Sequence, residues 1–145
     1  MDGNTEILNF IYQNSQMGID TLKQLIELTK NSRNEEFKNV LQSQYDEYKK
    51  IYIDTEKLIK FRGKDPKDLN TFAKISTYLM INLKTIIDKT PSHISEMLIQ
   101  GSTMGIIDVT KRINDYGDAD KEILDLAHRL LQFEKDNQEE FKKFL

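Results

Sequence analysis

Apolar residues recur every three or four positions along most of the chain, which is the spacing of amphipathic helices. The pattern predicts a first helix from about Thr5 to Lys30, with Asn4 as its N-cap. The inner side of this helix would carry Ile7, Ile11, Ser15, Gly18, Leu22 and Leu25. Ser32 and Glu35 have the spacing of a capping box, and they predict the start of a second helix.

Prolines and glycines mark the ends of the other predicted helices, because they favour the first and last turns. The second helix ends at about Phe61, where Gly63 follows as a C-terminal glycine. Three further helices are predicted over residues 71–89, 91 to about 117, and 119–145. Thr90 and Pro91 begin the fourth helix, and Asp118 is predicted to cap the fifth.

Two heptapeptides are nearly identical: QNSQMGI at residues 13–19 and QGSTMGI at residues 100–106. An offset of 87 residues aligns the first predicted helix with the fourth, and their apolar residues then share one angular phase. An offset of 86 residues aligns the second helix with the fifth, and in this alignment Tyr48 corresponds to Glu134. The chain is therefore predicted to contain two helical hairpins related by a pseudo-twofold axis.

These elements predict a single all-α domain over residues 1–145, because a chain of 145 residues suits one hydrophobic core. The hairpins would cover residues 5–61 and 91–145 and pack as an antiparallel four-helix bundle. Residues 71–89 would form an additional helix in the crossover connection between the hairpins.

Four features stand out within the helical pattern: the pair Leu8-Asn9, the central Gly18, the stretch ISTYLMINLKTII, and the stretch IQGSTMGIIDVTKRI. In these features the chain resembles the ferritin-like superfamily, and within it the small bacterial ferritin-like domains of unknown function. The resemblance covers nearly the whole chain. It implies a ferritin-like bundle, and it raises the question of whether a di-iron site is present.

A ferritin-like di-iron site takes a carboxylate from each of two helices and a Glu-x-x-His pair from each of the other two. Glu134 is predicted to face into the bundle, but Asn137 stands where the histidine is needed. The aligned residues of the second helix are Tyr48 and Ile51. The inner sides of the first and fourth helices carry Ser15, Gly18, Leu22, Ser102, Gly105 and Val109. Of the expected ligand set, only Glu134 remains as a candidate.

Two interpretations of Glu134 are open. We prefer a buried carboxylate that accepts a hydrogen bond from the Tyr48 hydroxyl or the Gln44 amide, because an unpaired buried charge is costly. Asn137 belongs to the same set of core polar candidates. The alternative is a degenerate site for iron or manganese in which Glu134 acts with Asp108 or Glu47.

Gly18 and Gly105 are predicted to lie at equal phase on the inner sides of the first and fourth helices. Glycine inside a helix costs about 0.5–1 kcal/mol relative to alanine, so its use at both positions implies a packing role. Gly101 forms a GxxxG pair with Gly105, and the small residues Ser15 and Ser102 accompany the glycines. We therefore expect the first and fourth helices to approach each other closely at this level.

Charge and composition exclude several kinds of partner. Charged residues make up 31% of the chain and the net charge is -3, so there is no basic field to attract nucleic acid or anionic lipid. No apolar stretch approaches the ~18 residues needed to cross a bilayer. The absence of cysteine excludes thiol chemistry, and the N-terminal residues lack the pattern of a secretory signal. We expect a cytoplasmic protein without membrane contact.

Catalytic motifs are not recognisable in the sequence. His93 and His128 are predicted at the surface or its boundary, and no serine or glycine-rich loop has the surroundings of an active site. The leading hypothesis is a non-catalytic ferritin-like domain without a cofactor that acts through association, as a homo-oligomer or with an unidentified protein partner. A metal-binding or redox role is the first alternative, and binding of an apolar ligand between the helices is the second.

Overall fold

The computed structural model of this chain describes residues 2–64, 83 and 86–145. These residues contain four long helices, numbered here in chain order: α1 (Gly3–Leu28), α2 (Glu35–Phe61), α3 (Pro91–Asp115) and α4 (Lys121–Lys142). The helices α3 and α4 correspond to the fourth and fifth helices predicted from sequence. The prediction of an all-α bundle built from two helical hairpins is thus confirmed for the described residues.

The start of α1 differs from the prediction. Asp2, not Asn4, is the N-cap, and its carboxylate accepts a hydrogen bond of 2.8 Å from the Thr5 backbone amide. The Asn4 side chain instead accepts a hydrogen bond of 2.8 Å from the backbone amide of Asp120, at the start of α4. The predicted cap was wrong because Asn4 is engaged in a tertiary contact and the helix begins before it.

The predicted capping box at the start of α2 was also wrong. Asn34 is the N-cap and accepts a hydrogen bond of 3.0 Å from the Phe37 backbone amide. Ser32 lies outside the helix, where its hydroxyl accepts a hydrogen bond of 3.2 Å from the Asn34 amide. The other end of α2 follows the prediction, since Gly63 adopts the left-handed conformation, with φ of 74°, that glycine permits after a helix.

The ends of the second hairpin agree with the prediction only in part. Thr90 caps α3 as expected, accepting a hydrogen bond of 3.3 Å from the His93 backbone amide. The residue that precedes α4 is Asp120, not Asp118, and α4 ends at Lys142 before the C-terminus. Asp120 is held there by an ion pair with Arg62, so a tertiary contact again decides the helix start.

The predicted crossover helix over residues 71–89 lies largely outside the described residues. Leu83 is helical, but residues 86–90 are not, so the predicted end of this helix at Lys89 was wrong. Pro91 restricts only the residue directly before it, because that residue is disfavoured in the helical region. Thr90 accordingly has extended backbone angles, with φ of -66° and ψ of 150°.

Contacts at the helix ends establish how the two hairpins are oriented. At one end of the bundle, Arg62 after α2 pairs with Asp120 and with Glu122, the latter at 2.8 Å, at the start of α4. At the other end, the Phe37 ring near the start of α2 packs edge-on against the Phe144 ring, with centroids 5.0 Å apart. Helices α2 and α4 are therefore antiparallel.

The second hairpin begins at the end of the bundle opposite to the end at which the first hairpin finishes. A short turn joins α3 to α4, and the Gln138 side chain donates a hydrogen bond of 3.1 Å to the Ile99 backbone carbonyl, so these two helices are antiparallel neighbours. It follows that α3 begins at the end opposite to the end of α2. A single long crossover of this kind is one of the known connections of four-helix bundles.

The interior repeats between the hairpins, as the sequence predicted. On α2 the residues Phe37, Leu41, Gln44, Tyr48, Ile51 and Thr55 are buried, and on α4 the residues Ile123, Ala127, Leu130, Glu134, Asn137 and Phe141 are buried. Each buried residue of the first set has its counterpart 86 positions later in the second. The centre of the core is therefore the level at which Tyr48 and Glu134 meet.

Candidate functional site

A carboxylate lies at the centre of the bundle. Glu134 is only 2% exposed, and its Oε1 atom accepts hydrogen bonds from the Tyr48 hydroxyl at 2.7 Å and from the Asn14 side-chain amide at 3.1 Å. The predicted hydrogen bond from Tyr48 is confirmed. Three helices, α1, α2 and α4, thus contribute to one buried polar cluster, which we call the Glu134 cluster: Asn14, Tyr48 and Glu134.

The two glycines of the repeated heptapeptides make room for this cluster. A Cβ atom at Gly18 would lie 2.7 Å from three ring atoms of Tyr48, which is too close for any real contact. A Cβ atom at Gly105 would lie 3.5 Å from the Asn14 Oδ1 atom and 3.7 Å from the Glu134 carboxylate. Each glycine therefore faces a polar residue on the other helix of its own hairpin: Gly18 faces Tyr48 and Gly105 faces Glu134.

The glycines were expected to let the first and fourth predicted helices, now α1 and α3, approach each other. Gly105 on α3 does lie against Asn14 on α1, whereas the tight contact of Gly18 is with Tyr48 on α2. Gly105 has ordinary van der Waals distances to its neighbours and is not tightly packed. The repeat accommodates an aromatic ring in one hairpin and a carboxylate in the other.

Burial dominates the electrostatics of the Glu134 cluster. Loss of hydration raises the pKa of Glu134 to about 7, and the hydrogen bonds from Tyr48 and Asn14 limit the rise. The pKa of Tyr48 is raised well above its ordinary value by burial and then by the nearby carboxylate. Tyr48 therefore remains a neutral hydrogen-bond donor at physiological pH, whereas Glu134 changes its charge near neutrality.

A cavity of about 50 Å³ lies beside the Glu134 cluster, between all four helices. Its lining comprises Asn14, Met17, Gly18, Thr21, Leu22, Gln44, Tyr48, Leu98, Gly101, Ser102, Glu134, Asn137 and Phe141. Four of the predicted polar core residues, Gln44, Tyr48, Glu134 and Asn137, are brought together here. Chemically, the site combines a titratable carboxylate and three side-chain amides with apolar walls.

Gln44 does not have the role that one alternative predicted for it. It was considered as a donor to Glu134, but Tyr48 and Asn14 are the donors observed. Gln44 is 5% exposed, and its Nε2 atom has no hydrogen-bond partner among the described residues. A buried unpaired amide is costly, so this group is the least satisfied polar feature of the cavity wall.

The small residues beside the glycines are satisfied within their own helices. The Ser15 hydroxyl donates to the Ile11 backbone carbonyl at 2.6 Å, and the Ser102 hydroxyl donates to the Ile99 carbonyl at 3.2 Å. Such local bonds are the usual way for serine to lie inside a helix. Ser102 and Gly101 also line the cavity, whereas Ser15 contributes only to packing.

The alternative metal ligands do not assemble around Glu134. Glu47 lies at the protein surface and pairs with Arg129 at 3.2 Å, and Asp108 is half-buried on α3. Among the residues that the structure describes, no group of three or more histidine, aspartate or glutamate side chains is placed to hold an ion. The carboxylate of Glu134 is surrounded instead by the neutral donors Tyr48 and Asn14.

Two residues of the site were missed in the sequence. Asn14, which is 2% exposed, donates to Glu134, and Thr21 is buried in the cavity wall. The signal for Asn14 was its position one turn before Gly18 and one turn after Ile11, on the inner side of the helix. Its polarity concealed that position, because the search for core residues followed apolar spacing.

The remaining predictions concern the surface. His128 is exposed and His93 is half-buried in the first turn of α3, as expected. In the ranges described, none of the helices has both the length and the hydrophobicity of a transmembrane span.

Comparison with protein-family models, with curated proteins and with solved structures gives no match to this chain.

Proposed function

We propose that this chain is a ferritin-like helical-bundle domain without a di-iron site and that it acts by associating with a second copy of itself through α3. The long crossover and the paired antiparallel hairpins support the ferritin-like resemblance. The neutral hydrogen-bond donors around Glu134 support the absence of a di-iron site, since iron would require further carboxylates or imidazoles there.

The observation that carries the proposal is the outer face of α3. Met104 is 39% exposed and Ile107 is 49% exposed, and the two residues lie one turn apart on the same side of the helix. Glu96 and Lys111 flank them on this side, and neither makes an ion pair within the described part of the chain. An apolar centre with charged ends is the composition of an interface patch.

The spacing of these residues suits pairing of α3 with the α3 of a second copy. In an antiparallel pair centred between Thr103 and Met104, the Glu96 of one copy lies opposite the Lys111 of the other. Ile107 and Met104 then lie at the middle of the contact. A twofold interface brings the same patch of both copies together, so the Glu96–Lys111 ion pair forms twice. The ion pairs would set the register, and the apolar residues would supply most of the affinity.

Association is tested by sedimentation velocity over a range of protein concentrations. We expect a dimer for the unmodified protein and a monomer for the Ile107→Lys variant. Ile53→Lys is the matched control, since Ile53 has a similar exposure of 46% on α2. A monomer at all concentrations, or equal effects of the two substitutions, would overturn the proposal.

A charge exchange tests the register of the pairing. Glu96→Lys should weaken the dimer, because it places like charges opposite each other. The double variant Glu96→Lys with Lys111→Glu restores opposite charges and should restore the dimer. If the double variant dissociates as readily as the single variant, α3 does not pair in the proposed antiparallel register.

A further inference from the structure

The cavity beside Glu134 has two kinds of wall. Met17, Leu22, Leu98 and Phe141 provide apolar surface, whereas Glu134, Gln44 and Asn137 provide polar groups. Small-molecule sites in proteins have this composition, with a few polar groups that orient the ligand against apolar surroundings. The cavity also lies between helices, which is a common place for ligand sites in bundles.

The polar groups of this wall have unused hydrogen-bonding capacity. Among the described residues, the Nε2 atom of Gln44 has no hydrogen-bond acceptor, although the residue is 95% buried. Both hydrogen bonds that Glu134 receives from the described residues end on Oε1, so the second oxygen can accept from another donor. The cavity therefore presents a donor and an anionic acceptor that its own side chains do not satisfy.

The volume limits what can bind. One water molecule needs about 10–15 Å³ of cavity volume, and a cavity of about 150 Å³ can hold benzene. At about 50 Å³, this cavity has room for a few waters or for one molecule with a small number of non-hydrogen atoms. This volume therefore favours a small molecule over a larger metabolite.

We propose that this cavity binds a short amino alcohol, whose ammonium group pairs with the Glu134 carboxylate and whose hydroxyl accepts a hydrogen bond from the Gln44 amide. A buried ionised carboxylate is stabilised most by a cation, and the unpaired amide needs an acceptor. An alkylamine would leave Gln44 unpaired, and an alcohol would leave the charge of Glu134 uncompensated. The short carbon chain contacts the apolar wall.

The binding depends on the charge of Glu134. The residues that face it are neutral: Asn14 from α1, Tyr48 from α2, and Gly105 from α3. Among the described residues of the cavity wall, Tyr48 is the only other titratable one, and it remains protonated. A primary ammonium ion keeps its charge through neutral pH, as lysine does. With the pKa of Glu134 at about 7, affinity should rise about tenfold between pH 6 and pH 8.

Three probes of equal size separate the two contacts: 2-aminoethanol, 1-aminopropane and 1-propanol. Binding is measured at pH 8 by NMR titration, observing the Met17 methyl group and the Gly101 amide, which lie in the cavity wall. We expect saturable binding with 2-aminoethanol about tenfold tighter than either analogue, since one unpaired buried group costs ~1–3 kcal/mol. Absence of saturable binding, or equal affinity for the three probes, would overturn the proposal.

Variants assign each contact. Glu134→Gln keeps the shape of the side chain but removes its charge, so it should abolish binding of both amines. Gln44→Leu should remove the advantage of 2-aminoethanol over 1-aminopropane. Glu139→Gln is the matched control, because Glu139 is an exposed carboxylate on α4 that pairs with Lys142. Retention of 2-aminoethanol binding by Glu134→Gln would refute the site. Should that variant fail to fold, the probe series and the pH profile of the unmodified protein decide the question.

Discussion

Replacing Gly18 with alanine tests how the repeated glycine supports the centre of the bundle. The added Cβ atom would lie 2.7 Å from three atoms of the Tyr48 ring. The ring cannot move freely, because its hydroxyl donates to Glu134 at 2.7 Å and its edge packs against Phe133, with ring centroids 4.7 Å apart. Overpacking of this kind costs about 1–3 kcal/mol. Alanine regains about 0.5–1 kcal/mol of helix propensity, so we expect a net loss of up to about 2.5 kcal/mol.

The equivalent substitution in the second hairpin is the matched control. A Cβ atom at Gly105 would have ordinary contact distances of 3.5 Å and 3.7 Å, so Gly105→Ala should stabilise the protein by about 0.5–1 kcal/mol. The free energy of unfolding is measured by urea denaturation for both variants. For a chain of this length, 1 kcal/mol corresponds to a change in Tm of roughly 3 °C.

Introducing Gly18→Ala into the Tyr48→Ala variant separates the clash with Tyr48 from any effect of Gly18 on the helix itself. Once the ring is removed by Tyr48→Ala, Gly18→Ala should no longer destabilise and should show only the gain in helix propensity. The reasoning is refuted if Gly18→Ala stabilises the unmodified background as much as Gly105→Ala does. It is also refuted if the cost of Gly18→Ala persists in the Tyr48→Ala background.

Three other predictions follow from the same structure. Burial raises the pKa of Glu134 to about 7 from an ordinary 4.5, so the stabilisation by its protonated form is present below pH 4.5. The free energy of unfolding should therefore fall by about 3 kcal/mol as the pH rises to 7. Glu134→Gln should remove this pH dependence in urea unfolding, and an unchanged slope would contradict the assignment. Tyr48→Phe should cost about 1–3 kcal/mol at pH 8 and less at pH 5, where Glu134 is protonated, as measured by the same unfolding assay. Asn34→Ala should cost about 1 kcal/mol through loss of the N-cap, whereas Ser32→Ala should cost less than about 0.5 kcal/mol; the reverse order of unfolding free energies would support the capping box.

Helix phase was the most predictable feature of the fold. The inner side of α2 and α4 follows from apolar spacing, and the offset of 86 residues relates every buried position from Phe37 to Thr55 with a buried position of α4. That periodicity also identified Glu134 as buried and Tyr48 as its neighbour. The reason is that a helix turns by a constant angle per residue, so sequence spacing alone determines which residues share a side.

Helix ends were less predictable, because several polar residues near each end can cap it. Asp2 and Asn4 are both suitable N-caps, and so are Ser32 and Asn34. In the structure, Asn4 bonds to the amide of Asp120 on another helix, which no local pattern indicates. The choice among equivalent caps is made by contacts between segments far apart in sequence.

By itself, the sequence determined four of the helices, their inner sides and their relation as two hairpins, since these depend on local spacing and on internal repetition. Tertiary structure alone decided what fills the space in front of each glycine: the Tyr48 ring at Gly18, and the Asn14 and Glu134 side chains at Gly105. It also decided that Asn14 donates to Glu134 and that Gln44 is left unpaired in a cavity. These outcomes depend on the rotation and the axial shift of one helix against another, where a displacement of one residue, about 1.5 Å, exchanges one side chain for the next.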